Sequence, residues 1–137
     1  MPRHRKPERA IFNMPHIEMR EHMEPKALAK HIAKILSGKK AADIRLLEVA
    51  DLTALADFFI IATGTSAPHL KTLAEEVEFV LKKENILPGH IEGRHSGSWV
   101  LLDYGSVVVH LLMKDAREFY SIERLWADAK QYSEDEL

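Results

Sequence analysis

The chain has 137 residues, with 19 lysines and arginines against 21 aspartates and glutamates, and a formal net charge of −2. One domain with a single core is expected at this length, and 46% hydrophobic with 29% charged residues is ordinary globular composition. Cysteine is absent, which excludes disulfide scaffolds, thiolate metal sites and thiol catalysis and suits a reducing compartment. The uncharged apolar runs at 58–62 and 107–113 are far shorter than the ~20 residues that span a bilayer. A pI near 6.4 argues against affinity drawn mainly from phosphate neutralisation, so little direct nucleic-acid binding is expected. A basic protein partner suits this balance better.

Residues 1–23 are set apart. Arg3, Arg5, Lys6 and Arg9 make a basic start, and Met1, Met14, Met19 and Met23 lie there, four of the five methionines. Weak apolar periodicity reads as a disordered arm. A basic arm touching RNA, or a translation start at Met14, Met19 or Met23, are the alternatives. Glu8, Glu18, Glu21 and the lack of serine fit a transit peptide poorly, which favours a bacterial, cytoplasmic protein.

The domain is expected over 24–128. Pro25 opens a helical pattern in which Leu28, Ala29, Ile32, Ile35 and Leu36 share one face, with Gly38 as its stop. Residues 42–49 read as a strand, and 58–63 as a strand buried on both faces. Gly64-Thr65-Ser66 then leads into a helix ending near Asn85, with Ser66 as N-cap and Leu70, Leu73, Val77, Val80 and Leu81 as its apolar stripe. After Pro88-Gly89 come strands at 90–94, 98–103 and 107–113, the last two joined as a hairpin by Tyr104-Gly105-Ser106. Asp115 is expected to cap a final helix with Phe119, Ile122, Leu125 and Trp126 inward. The acidic stretch 129–137 is expected to fray. This order predicts an α/β sandwich with a mixed sheet and helices mainly on one face; a doubly wound dinucleotide fold would need more crossover helices.

Several patterns bear on chemistry. Strand, Gly64-Thr65-Ser66, then helix can hold an anion on backbone amides, and it resembles the Gly-Ser turn of nucleotidyltransferases. Those enzymes need a nearby carboxylate pair for magnesium, yet no acidic residue lies between Gly64 and Glu75, and Asp51 and Asp57 are wrongly spaced. A nucleotide-binding transferase-like enzyme working through this turn is therefore the rival reading. Ser66, Asp103 and His110 could be written as a triad, but no nucleophile elbow surrounds Ser66. The eight histidines match no metal-ligand spacing, so no metal or cofactor is expected. His110 reads either as a strand histidine with one hydrogen-bond partner or as part of an exposed binding face. Trp99, Leu101 and Asp103 share one side of their strand by alternation, and a tryptophan beside an aspartate on an uncovered sheet face suits a protein partner.

The run 57–66, Asp-Phe-Phe-Ile-Ile-Ala-Thr-Gly-Thr-Ser, followed by His69, closely resembles the signature of the ribosomal silencing factor (Iojap) family. So do Glu92-Gly93, the run 99–105, Val109-His110, and Arg117-x-x-Tyr120-x-x-Glu123-x-Leu125-Trp126. The blocks fall in the family's order from about Pro25 to Asp128. Pro68 departs from the commoner arginine, and Met113-Lys114 from the usual aromatic-bearing stretch. The resemblance implies a nucleotidyltransferase-like α/β sandwich without the catalytic carboxylates, and a non-enzymatic role. It implies binding to the large ribosomal subunit through universal large-subunit protein fourteen, steric blocking of small-subunit joining, and a homodimer when free. Carried over by position, the partner-binding residues it implies are Glu92, Gly93, Trp99, Asp103, Tyr104, His110, Tyr120 and Glu123.

Overall fold

The computed structural model describes residues 23–137; of the expected arm at 1–23, all but Met23 lies outside them. Helix α1 (Pro25–Gly38) starts with proline in its first turn and the Glu24 side chain accepting the Ala27 amide at 3.2 Å. Its buried face is Leu28, Ala29, Ile32, Ala33 and Leu36. Strand β1 (Ala42–Glu48) follows, then β2 (Phe58–Gly64) and α2 (Ala67–Lys83). Strands β3 (His90–Glu92), β4 (Trp99–Asp103) and β5 (Val107–Met113) form the second half of the sheet. The chain closes with α3 (Lys114–Tyr120), α4 (Ile122–Leu125), β6 (Lys130–Ser133) and one 3-10 turn (Glu134–Glu136).

The sheet order is β3-β4-β5-β2-β1-β6. Strands β2 and β5 are parallel, from Phe58 opposite Val107 to Gly64 opposite Met113, and every other pairing is antiparallel. The parallel pair is central and buried on both faces, as its unbroken apolar run requires. Helices α1 and α2 cover one face, packing on Ile44, Leu46, Ile60, Ala62, Val109 and Leu111. His31 pairs with Glu84 at 3.0 Å and ties α1 to the end of α2. The other face carries Leu47, Phe59, Ile61, Val108 and Leu112 and is covered in part by Ile122, Trp126 and Ala129. This is the mixed α/β sandwich with its long helices on one side. No helix among the described residues is long and apolar enough to cross a membrane.

Two expectations are corrected. The final helix is two helices, because Ser121 adopts a left-handed conformation (φ 48°) between α3 and α4. The break resets the helical phase, so Phe119 and Leu125 are 80% and 76% exposed rather than inward. Asp115 lies in the first turn, and the α3 N-cap, Met113, makes no side-chain capping bond. The acidic tail does not fray: β6 pairs antiparallel with β1, from Glu48 opposite Lys130 to Arg45 opposite Ser133. Tyr132 donates to Glu48 at 3.1 Å, Ser37 donates to Glu134, and Glu136 accepts the Ser133 amide at 2.6 Å. A chain ending at Ala129 loses this ladder. Its unfolding free energy in urea is expected to fall by about 2 kcal/mol or more, the worth of a few hydrogen bonds. A frayed tail would leave it unchanged.

Candidate functional site

The site is built on β4 and its neighbours. Strand β3 is followed by Gly93, whose φ of +76° suits glycine. A Cβ there would lie 2.0 Å from the Trp99 carbonyl oxygen, so the close approach of these two backbones admits no side chain. The Ser96 hydroxyl sits 3.0 Å from the Gly93 carbonyl and 3.1 Å from that of Trp99, stitching the turn together. Arg94 leaves the turn on the other side and forms a two-pronged pair with Glu78 of α2, at 3.0 and 2.8 Å. The turn is thus clamped to a long helix.

From this turn Trp99 projects onto the sheet face that α1 and α2 leave open. Its indole N–H donates to Nδ1 of His110 at 3.3 Å. Six rings make one row: Trp126 against Phe59 (5.2 Å), Phe59 against His110 (5.2 Å), His110 against Trp99 (5.9 Å), Trp99 against Tyr120 (4.6 Å), and Tyr120 against Phe119 (5.0 Å). The row runs from half-buried Trp126 to a Phe119 ring in solvent. An open groove of about 400 Å³ lies over its outer part, lined by Glu92, Gly93, Ser96, Ser98, Trp99, Leu101 and Tyr120.

The groove brings together four of the expected residues: Glu92, Gly93, Trp99 and Tyr120. Glu92 stands at its lip and accepts from His90 Nε2 at 2.7 Å. His110 is a floor residue rather than a surface one, since it is only 7% exposed and lies under Trp99. Burial lowers its pKa from 6.5 to about 4. It is the strand histidine with one hydrogen-bond partner. Its Nε2 is buried and has no hydrogen-bond partner among the described residues.

The other three expected residues stand elsewhere. Asp103 shares the face of Trp99 but lies ~13 Å along the strand, where its carboxylate accepts the Gly105 amide at 2.8 Å and closes the hairpin turn. Tyr104 packs on the opposite face with the α1–α2 core, its hydroxyl buried and without a hydrogen-bond partner among the described residues. Burial, reinforced by Glu78, raises its pKa. Glu123 is held by Arg117, which is 7% exposed and reaches it at 2.7 and 3.4 Å. The same guanidinium donates to the Asp43 carbonyl (2.7 Å) and Thr63 Oγ1 (2.9 Å). Arg117 and Glu123 therefore pin α3–α4 to β1 and β2, beside a second open cavity of about 440 Å³.

Gly64-Thr65-Ser66 is committed to the fold. The Ser66 hydroxyl accepts the His69 amide at 3.1 Å as N-cap of α2. The Thr65 amide donates to His69 Nδ1 at 2.9 Å, and His69 Nε2 donates to the Lys39 carbonyl at 2.9 Å. The amides a phosphate would seek are thus partly spent on the protein itself. Ser96, Ser98 and exposed Phe119 were outside the expected set; polar loop residues and one aromatic carry no distinguishing pattern in a sequence.

Fold and groove together define a small mixed α/β sandwich with an aromatic face beside its central strands. The chain belongs to the ribosomal silencing factor family: residues 22–137 match the family described as "Ribosomal silencing factor during starvation". It is 36% identical over 107 residues to ribosomal silencing factor RsfS of Bacillus subtilis, covering 78% of this chain and 91% of that one. It is 30% identical over 112 residues to the mouse protein named mitochondrial assembly of ribosomal large subunit protein 1, covering 77% of this chain and 48% of the relative. A crystal structure of a Chromobacterium violaceum protein superposes with a TM-score of 0.74 at 39% identity, covering 77% of this chain and 88% of that one.

The buried imidazole gives the fold a pH signature. Between about pH 6.5 and 4 the unfolded chain binds a proton that folded His110 refuses. Stability is therefore complete above pH 6.5 and declines as pH falls through this window, by up to about 1.4 kcal/mol per unit. Urea titrations across the window are expected to show this slope in the natural protein. In His110→Asn the component is expected to vanish.

Proposed function

We propose that this protein regulates translation as a steric factor. It binds the large ribosomal subunit through universal large-subunit protein fourteen and blocks joining of the small subunit. The observation that carries this reading is the groove over Trp99, Leu101 and Tyr120, apolar on its floor and acidic at its lip. Membership of the silencing-factor family supports a ribosomal target, and the name of the mouse relative supports the large subunit.

The mechanism needs position rather than chemistry. Half-buried aromatic rings supply contact energy when a partner excludes water from them. Glu92, exposed at the rim, orients and speeds the encounter with a basic surface. The bound domain then occupies space that the small subunit needs. The rival reading, a nucleotide-binding transferase working through Gly64-Thr65-Ser66, is disfavoured because that turn is engaged with His69.

Co-sedimentation with separated subunits, followed by a joining assay without nucleotide, tests the reading. Binding to the large subunit with joining blocked is the expected result; binding to neither subunit would overturn it. Trp99→Ala is expected to keep the fold and weaken large-subunit binding by about 2 kcal/mol, roughly 30-fold, as at an interface hot spot. Unchanged affinity would remove the groove from the mechanism. In the absence of ribosomes the same apolar face, extended by Phe119 and Leu125, closes a homodimer. Analytical ultracentrifugation is expected to show a dimer that dissociates on dilution, and a monomer at all concentrations would refute this.

A further inference from the structure

We propose that His110 is the positioning residue of the groove: by accepting the Trp99 indole N–H at Nδ1, it holds the indole in the orientation that a partner meets. This rests on the groove being the docking face.

The register places the two side chains for the task. Leu101 of β4 faces His110 of β5, and Trp99 faces Leu112, so Trp99 and His110 are diagonal neighbours on one sheet face. The Phe59 ring meets the imidazole nearly edge-on, at 78° and 5.2 Å, which fixes the imidazole plane. Acceptance at Nδ1 assigns the proton to Nε2. That N–H is buried and has no protein acceptor among the described residues.

The neighbours of His110 along and across the sheet are Val109, Leu111, Leu101 and Ile61. Leucine or phenylalanine would fill the same place without a buried Nε2–H, but would take away the acceptor of the Trp99 N–H. What imidazole adds over either is an acceptor beneath the indole. Without it, the Trp99 N–H loses the partner that ties the indole in its place against Tyr120, 4.6 Å away. Burial keeps the imidazole neutral near pH 7, so Nδ1 stays an acceptor there.

Two variants and two readouts test this. His110→Phe keeps a ring against Phe59 and removes the acceptor; His110→Asn keeps an acceptor close to the position of Nδ1. The first readout, independent of any ribosome, is hydrogen exchange of the Trp99 indole N–H by NMR, assigned with Trp99→Phe. The second is affinity for purified large subunits. His110→Phe is expected to speed indole exchange and to weaken binding, each by about tenfold, the scale of one hydrogen bond. His110→Asn is expected to stay within about threefold of the natural protein in both. A folded His110→Phe that exchanges and binds like the natural protein would overturn the proposal. So would a folded His110→Asn that fails as badly as the phenylalanine variant. If His110→Phe does not fold, the natural protein still decides: an indole N–H exchanging as fast as that of free tryptophan overturns it, and a protected one restored by asparagine supports it. If the natural protein binds neither subunit, the proposed function fails, and indole exchange alone judges the positioning role.

Discussion

The structure depends on one pairing, that of β2 with β5. Seven successive residues of each strand lie in parallel register, and nearly all of them are buried. A parallel pair cannot close through a tight turn, so the chain has to travel between its two strands. It does so through α2 and the β3–β4 segment, and this detour supplies one of the two long helices and the second half of the sheet. Because the pair is apolar on both sides, each sheet face needs a cover. Two long helices supply one. Two short helices supply the other, and they do not reach all the way across.

The incomplete cover makes the site. Where α3 and α4 stop short, the sheet face is finished with rings instead of a helix. Phe59 and His110 lie at the bottom, and Trp99 and Tyr120 form a second tier above them. The short helices stay in place through Arg117, whose guanidinium reaches β1, the end of β2 and Glu123 at once. An arginine is suited to this, because its planar fork can satisfy several acceptors in one geometry. The groove thus has a rigid wall on each side: Arg117 secures the α3 side, and the Arg94–Glu78 pair secures the β3–β4 turn.

Local periodicity made much of this legible in the sequence. The α1 stripe, the doubly apolar strand 58–63, the Ser66 cap and the Tyr104-Gly105-Ser106 hairpin each announce themselves within a few residues, and each stands where the pattern puts it. The failures share a cause, which is dependence on distant contacts. Nothing in residues 115–126 marks Ser121 as left-handed; the tether of Arg117 to β1 and β2 lies on one side of that break. Strand β6 is polar and short, and it pairs because β1 offers a free edge. Period-two alternation put Trp99 and Leu101 on one sheet face, where they lie, and the family pattern added Glu92, Gly93 and Tyr120 of the same groove. Tyr104 is the next residue in sequence after Asp103, yet it faces the opposite core. The motif containing Arg117 and Glu123 mixes a clamp with a groove residue, Tyr120, and the two part only in the folded chain.

The two ends of the sheet carry a consequence for how this protein can associate. Its outermost strands are its shortest, three residues in β3 and four in β6. One ends at a glycine turn, and the other runs directly into a 3-10 turn that folds back on it. Neither offers a length of unpaired backbone onto which another polypeptide could zip as an extra strand. Growth of the sheet into a fibre or a domain-swapped chain is therefore suppressed at both borders. Association through side chains on a face stays open: among the described residues the aromatic row offers one such surface, while Leu55, Phe79 and Leu87 stand exposed elsewhere.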